Sequence, residues 1–196
     1  TKHGNLATGL KILRRLTEED IVSWTAMIAG YTQHDLFLEA LKLFIEMQDL
    51  GIQSDNIGFA SALSACAGLQ AIHQGRQIHA QTNPSGYSLD PSISNALISL
   101  YARCGKVQDA YLAFDKNKNK DNISWNALIS GFSQSRHWEE ALYTFSKMNL
   151  AGVESNMFTY GSVVSAAANT TNLKQGKQIH AKIIKTGYIA EIEASN

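Results

Sequence analysis

Proline is scarce, 2 in 196 residues, which argues against a proline-rich linker or a long disordered tail. Cysteine is as scarce. Cys66 and Cys104 are too few for a disulfide framework and lack the paired spacing of a metal site. Neither sign of charge is in excess, because 17 Lys plus Arg balance 17 Asp plus Glu. That balance argues against a domain held on nucleic acid by bulk charge, while leaving room for a narrow basic track. No uninterrupted apolar run approaches the roughly 18 residues needed to span a bilayer. Thr1 is preceded by no initiator Met and followed by no signal or transit peptide, so the segment reads as an excerpt of a longer chain. What is present suits a buried interior: hydrophobic residues make up 44% of the chain and charged residues 17%.

The dominant feature is internal repetition. Ser23-Trp24 recurs as Ser124-Trp125, an offset of 101. The same offset carries Glu39-Ala40-Leu41 onto Glu140-Ala141-Leu142, Gln77-Ile78-His79-Ala80 onto Gln178-Ile179-His180-Ala181, and Gly86-Tyr87 onto Gly187-Tyr188. Between 20–95 and 121–196, 28 of 76 positions are identical without a gap, too many for chance. Turn glycines divide the unit further. Gly51 to Gly86 is 35 residues, Gly152 to Gly187 is 35, and the remainder of the 101 is 31. The chain therefore parses into a partial repeat 1–20, complete repeats 21–55, 56–90, 91–121, 122–156 and 157–191, and the start of another at 192–196.

Each unit reads as a helical hairpin. Trp24, Met27, Ile28 and Tyr31 stand at i, i+3, i+4 and i+7, which is one helical face. After a polar break at residues 32–35, Phe37, Ala40, Leu41, Phe44 and Met47 continue that spacing, and Gly51 stops the second helix. Repeat 122–156 copies the pattern with Trp125, Leu128, Ile129 and Phe132, then Trp138, Ala141, Leu142, Phe145 and Met148. No stretch alternates with period two, so no sheet is expected. One such hairpin cannot bury its own apolar face. Stacking against neighbours predicts an all-α fold, a right-handed α-solenoid of helix-turn-helix repeats with a concave groove.

These units resemble pentatricopeptide repeats, and the 35/35/31 alternation resembles the P, L and S variants of the PLS class. The run from Ser23 to Tyr31 and the run from Glu39 to Met47 match the P motif. Gly75 to Ala80 and Gly176 to Ala181 match the L motif, and Asn95 to Gly105 matches the S motif. On this assignment 1–20 is a partial S repeat, 21–55 and 122–156 are P, 56–90 and 157–191 are L, 91–121 is S, and 192–196 opens another S. Tetratricopeptide repeats, with a period of about 34 and a W-x2-L-G-x2-Y pattern, fit less well. The resemblance implies sequence-selective binding of single-stranded RNA, an organelle transcript, at about one base per repeat. It also implies a mitochondrion or chloroplast, partnership with other editing or processing proteins, and service to cytidine-to-uridine editing. It calls for no cofactor, no membrane and no small-molecule substrate. The chemistry of editing would belong to a deaminase-like domain elsewhere, since H-x-E with a downstream C-x-x-C is absent here.

By the same resemblance, the fifth and last residues of a repeat select the base. These are Thr25 with Asp55, which implies guanine, Asn95 with Asp121, which implies uracil, and Asn126 with Asn156, which implies cytosine over uracil. Such positions need donor and acceptor capacity. The second residue clamps the base: Val22, Ile57, Ile123 and Phe158, with Ser92 a poor wedge. Position thirteen turns a cation to phosphate at Lys2 and Arg103. The L repeats offer Ala60 with Asp90 and Gly161 with Glu191, so they are expected to space the array rather than read it. The implied target is 5′-G-n-U-C-n.

Other residues invite plainer readings. Trp24 and Trp125 sit at helical spacing with core residues and are expected to pack rather than stack on bases. His79 and His180 lack neighbouring ligands and read as structural. Cys66 and Cys104 read as small buried or tolerated residues. The run Lys116 to Lys120 reads as a solvated loop between repeats. A protein-interaction solenoid of tetratricopeptide type, without RNA specificity, is the competing function, supported by the neutral charge and few groove cations.

Overall fold

A computed structural model describes residues 21–87 and 90–170 of the chain. Among these residues every regular element is a helix. Helices α1 (Ile21–Gln33) and α2 (Phe37–Asp49) form the first hairpin, and α3 (Asn56–Leu69) and α4 (Ile72–Thr82) the second. Helices α5 (Pro91–Arg103) and α6 (Val107–Lys116) follow, then α7 (Asn122–Gln134) and α8 (Trp138–Leu150), then α9 (Met157–Asn169).

The odd-numbered helices pack one against the next, α1 on α3, α3 on α5, α5 on α7 and α7 on α9, and make a continuous layer. Each even-numbered helix packs behind its own partner and against the next odd helix. The result is an all-α repeat solenoid. Aromatic pairs join each second helix to the following first helix: Phe44 meets Phe59 with ring centroids 5.8 Å apart, and Phe145 meets Tyr160 at 6.2 Å, the same contact 101 residues later. In the shorter repeat, Phe114 meets Trp125 at 4.6 Å. Trp24 and Trp125 are both buried, as their spacing predicts.

Small residues let the first-helix layer close up. A Cβ on Gly131 of α7 would fall 2.4 Å from that of Ala102 on α5, and behind that layer one on Gly75 of the second helix α4 would fall 2.4 Å from Leu100 Cδ2 on α5. The turns are written differently. Gly51 and Gly152 have φ of +77° and +72° with nothing within 4 Å of an added Cβ, so backbone conformation alone calls for glycine there.

Capping separates the two kinds of helix. Second helices α2, α4, α6 and α8 begin at Leu36, Ala71, Lys106 and His137 without a side-chain cap. First helices α3, α5, α7 and α9 are each capped by a side chain: Asp55, Asp90, Asp121 and Asn156. An acid or amide oxygen there satisfies a backbone N–H that the first turn leaves without a partner.

Candidate nucleic-acid interface

Each capping residue is also the last residue of a repeat, so the helix cap is one of the two positions expected to select a base. Its partner, the fifth residue, stands one turn into the preceding first helix. The second residue lies at i−3 from the fifth and shares its face. In repeats 21–55 and 122–156 a short polar pair is thereby set beside an apolar side chain, Val22 in one and Ile123 in the other.

In repeat 21–55, Asp55 Oδ1 accepts from Gly58 N at 2.8 Å, and Asp55 Oδ2 accepts from Thr25 Oγ1 at 3.4 Å. Thr25 is only 2% exposed and also donates to Ile21 O at 3.0 Å. What this repeat turns outward is therefore the Asp55 carboxylate with the threonine behind it.

In repeat 122–156 the pair meets directly. Asn126 Nδ2 donates to Asn156 Oδ1 at 3.2 Å and to Asn122 Oδ1 at 2.6 Å. Asn126 Oδ1 accepts from Thr159 Oγ1 at 2.6 Å. In repeat 91–121 the pair is bridged: Ser124 Oγ lies 2.7 Å from Asn95 Oδ1 and 3.1 Å from Asp121 Oδ1. The pair of repeat 56–90, expected to space the array, differs. Ala60 offers no polar group, and Asp90 is engaged by Asn56 Nδ2 at 2.9 Å and by Ser92 N at 2.8 Å. Burial pulls the Asp90 carboxyl upward, but these hydrogen bonds outweigh it and hold the group below its ordinary pKa.

The expected clamping residues are exposed in spite of their chemistry. Val22 is 72% exposed, Ile57 53%, Ile123 64% and Phe158 80%. Trp24, Phe59, Trp125 and Tyr160, two residues further along the same helices, are buried, whereas these four residues are not spent on the core. Ser92 is exposed as well. Arg103, at the last residue of α5, is half-exposed. It stands about 16 Å along the helix from Ser92, from eleven residues at the helical rise. Lys2 and Glu191 lie outside the described residues, as does His180. Gly161 is exposed on α9.

The loop after α6 departs from its sequence reading. Lys116, Lys118 and Lys120 are exposed, but Asn117 is 3% exposed. Its Nδ2 donates to Ser124 Oγ at 2.8 Å and to Asn95 Oδ1 at 3.2 Å. The loop thus braces Asn95, one of the residues expected to select a base, from behind. Neither Asn117 nor the bracing residues Asn122, Ser124 and Thr159 stood out in the sequence. A hydroxyl three residues into α7 and α9 was the available signal.

Elsewhere the polar groups are structural. His79 Nδ1 pairs with Tyr101 Oη at 2.8 Å beside a cavity of about 150 Å³ lined by Leu97, Asp109, Leu112 and Lys116, where α4 packs only lightly on α5. Burial, then the nearby Lys116 charge, lowers the His79 pKa. Burial pushes the Cys66 thiol up to about 12 and raises that of the half-buried Cys104. Among the described residues no group of three or more His, Cys, Asp or Glu is placed to hold a metal ion, and no helix is long and apolar enough to cross a membrane.

The fold and this face define a class: a helical-repeat solenoid whose repeat boundaries carry polar pairs beside exposed apolar residues. Comparison with known proteins narrows it. The model of the PPR repeat family matches residues 19–68 and 120–169, and that of the PPR repeat matches 92–116. The chain belongs to the PPR repeat family. It is 36% identical over 189 residues to a mitochondrial pentatricopeptide repeat-containing protein of Arabidopsis thaliana, covering 96% of this chain and 27% of that one. It is 33% identical over 196 residues to a chloroplastic relative from the same plant, covering all of this chain and 23% of that one. The chain thus spans about a quarter of the length of these relatives. Among solved structures it resembles the pentatricopeptide repeat protein PPR10 from maize, with a TM-score of 0.70 and 19% identity over 94% of this chain and 28% of that one. It also resembles PPR10 in complex with an 18-nucleotide psaJ RNA element, with a TM-score of 0.64 and 18% identity over 94% of this chain and 32% of that one.

Proposed function

We propose that this chain is the sequence-reading segment of an organellar RNA-processing factor and that it binds single-stranded RNA along its first-helix layer. The observation that carries the reading is the set of exposed apolar residues, Val22, Ile57, Ile123 and Phe158, at the start of first helices α1, α3, α7 and α9, with exposed Ser92 in that place on α5. A base inserted between Ile123 and Phe158 gains apolar contact on both faces, and its edge meets Asn126 and Asn156. Membership of the PPR repeat family, and a structural neighbour solved with RNA, support this use. The 35/35/31 order supports assignment to the PLS class, and with it a role in cytidine-to-uridine editing whose chemistry resides in a deaminase-like domain elsewhere. Relatives labelled mitochondrial and chloroplastic support an organelle as the site of action.

With Thr25 and Asp55 reading guanine, Asn95 and Asp121 uracil, and Asn126 and Asn156 cytosine, the target is 5′-G-n-U-C-n. Fluorescence anisotropy against an oligonucleotide carrying 5′-G-A-U-C-A, and against one with G and U exchanged, tests it. Tighter binding to the first is expected. Equal binding to both contradicts the base assignment. No binding to either, by a chain shown to be helical in the same sample, favours the protein-interaction solenoid that the neutral charge also suits.

A further inference from the structure

An asparagine reads a base only if its amide is held one way round. Turning it by 180° exchanges donor for acceptor and inverts the edge it complements. Here polar groups of the same repeat and one hydroxyl of the next repeat hold each asparagine together. Asn95 Oδ1 receives Ser124 Oγ at 2.7 Å and Asn117 Nδ2 at 3.2 Å, so a flipped amide would set donor against donor at Asn117. Asn126 Oδ1 receives Thr159 Oγ1 at 2.6 Å. Its amino group faces the oxygens of Asn122 and Asn156, so a flip there would set acceptor against acceptor.

Ser124 and Thr159 occupy the same place, the third residue of the repeat that follows. The residue at that place changes with the fifth residue it faces. Opposite Thr25 it is Gly58, where a Cβ would fall 2.8 Å from Thr25 Cγ2 and 2.3 Å from Ser54 Oγ. Thr25 needs no outside donor, because its hydroxyl is satisfied by Ile21 O within its own helix. Opposite Ala60 the residue is Ile93, fully buried and apolar. A hydroxyl thus accompanies Asn, glycine accompanies Thr, and an apolar side chain accompanies Ala.

We infer that the third residue of the following repeat is a specificity-determining position for base reading. Ser124 and Thr159 hold the oxygens of Asn95 and Asn126 and so, together with Asn117 in one case and Asn122 and Asn156 in the other, set which end of each amide is left for the base. They are positioning residues, acting through the asparagine rather than on the RNA. The inference rests on the reading that these asparagines face bases.

The test compares wild type, Thr159→Val and Thr159→Ser for binding to RNAs that differ only at the base facing repeat 122–156, and to a second set that differs only at the base facing repeat 91–121. Valine keeps the shape of threonine without its hydroxyl, and serine restores the hydroxyl. Thr159→Val is expected to reduce discrimination at the first base at least about fivefold, the lower end of what a good base contact supplies. Discrimination at the second base stays as in wild type, and Thr159→Ser keeps both. Because Thr159 Oγ1 also accepts from Asn156 N in a capping box, a second readout is taken without RNA: the side-chain NH2 resonances of Asn126, which should shift in the valine variant and not in the serine variant. Wild-type discrimination that survives Thr159→Val overturns this inference alone. So does equal loss at both bases, or loss in the serine variant as large as in the valine. RNA binding by wild type without any base preference overturns the base reading and this inference with it.

Discussion

Repeats 21–55 and 122–156 stand 101 residues apart and keep the same packing residues. Trp24 and Trp125, Ile28 and Ile129, Phe44 and Phe145, and Met47 and Met148 are all buried. They differ at the polar pair, where Thr25 and Asp55 in one copy become Asn126 and Asn156 in the other, and at the residue of the next repeat that faces it, where Gly58 becomes Thr159. The first set turns a carboxylate outward in front of a buried hydroxyl. The second set makes a network of amides held by a neighbouring hydroxyl. The scaffold is copied and the polar pair varies, and the two meet at the helix cap, where on the proposed reading one residue serves both packing and address.

Truncating the copied scaffold should produce the largest effect. Phe44→Ala and Phe145→Ala are each expected to cost about 3–5 kcal/mol of stability, measured by chemical denaturation. A large cost in one copy and none in the other would break the claim that the two hairpins are built alike. Next come the clamps. Phe158→Ala should weaken RNA binding by about 1–3 kcal/mol while leaving stability within about 0.5 kcal/mol, because the ring is 80% exposed. Ile57→Ala, which removes an aliphatic wedge, should weaken binding less. Titration of the same RNA against both variants would show whether aromatic and aliphatic clamps differ.

The caps separate structure from reading. Asp55→Ala should cost about 0.5–2 kcal/mol of stability. Asp55→Asn and Asn156→Asp keep a capping oxygen and should leave the melting temperature nearly unchanged while altering base preference at their own repeat. A melting shift as large as alanine's, with preference unaltered, would reduce these residues to caps. The smallest effect concerns His79, in the repeat between the two copies. Its pKa is lowered in the folded chain by burial and Lys116, so the unfolded chain takes up its proton first as pH falls. Stability should therefore decline as pH drops through the ordinary histidine range, near about 6.5. His79→Phe should flatten that decline, as read from denaturation midpoints across pH.

The helices were legible because burial writes a period into the sequence. Trp24, Ile28 and Tyr31, spaced for one helical face, are buried, and glycine stands at Gly51 and Gly152 because φ is positive there. The exposed apolar row was legible only through resemblance, since Val22 and Phe158 look like core residues by type. The bracing groups were not legible. Asn117 lies in a run of lysines that reads as solvated loop, and Ser124 and Thr159 are ordinary residues for a first helical turn. Their role arises from distances between successive first helices, which no single repeat contains. The double meaning of Asp55, Asp121 and Asn156 was hidden for a related reason: acids and amides suit a helix cap as well as a base edge.

The measurement that tests the account most directly moves one address onto the other copy. A triple variant, Asn126→Thr with Asn156→Asp and Thr159→Gly, gives repeat 122–156 the pair found at 21–55 together with the glycine that faces it there, and keeps a capping oxygen. Its binding would be measured against RNAs carrying each of the four bases at the position facing that repeat. The account predicts that preference there moves from cytosine to guanine while preference at the base facing repeat 91–121 stays as in wild type. A variant that folds and still prefers cytosine, or that loses preference at both positions alike, would contradict it.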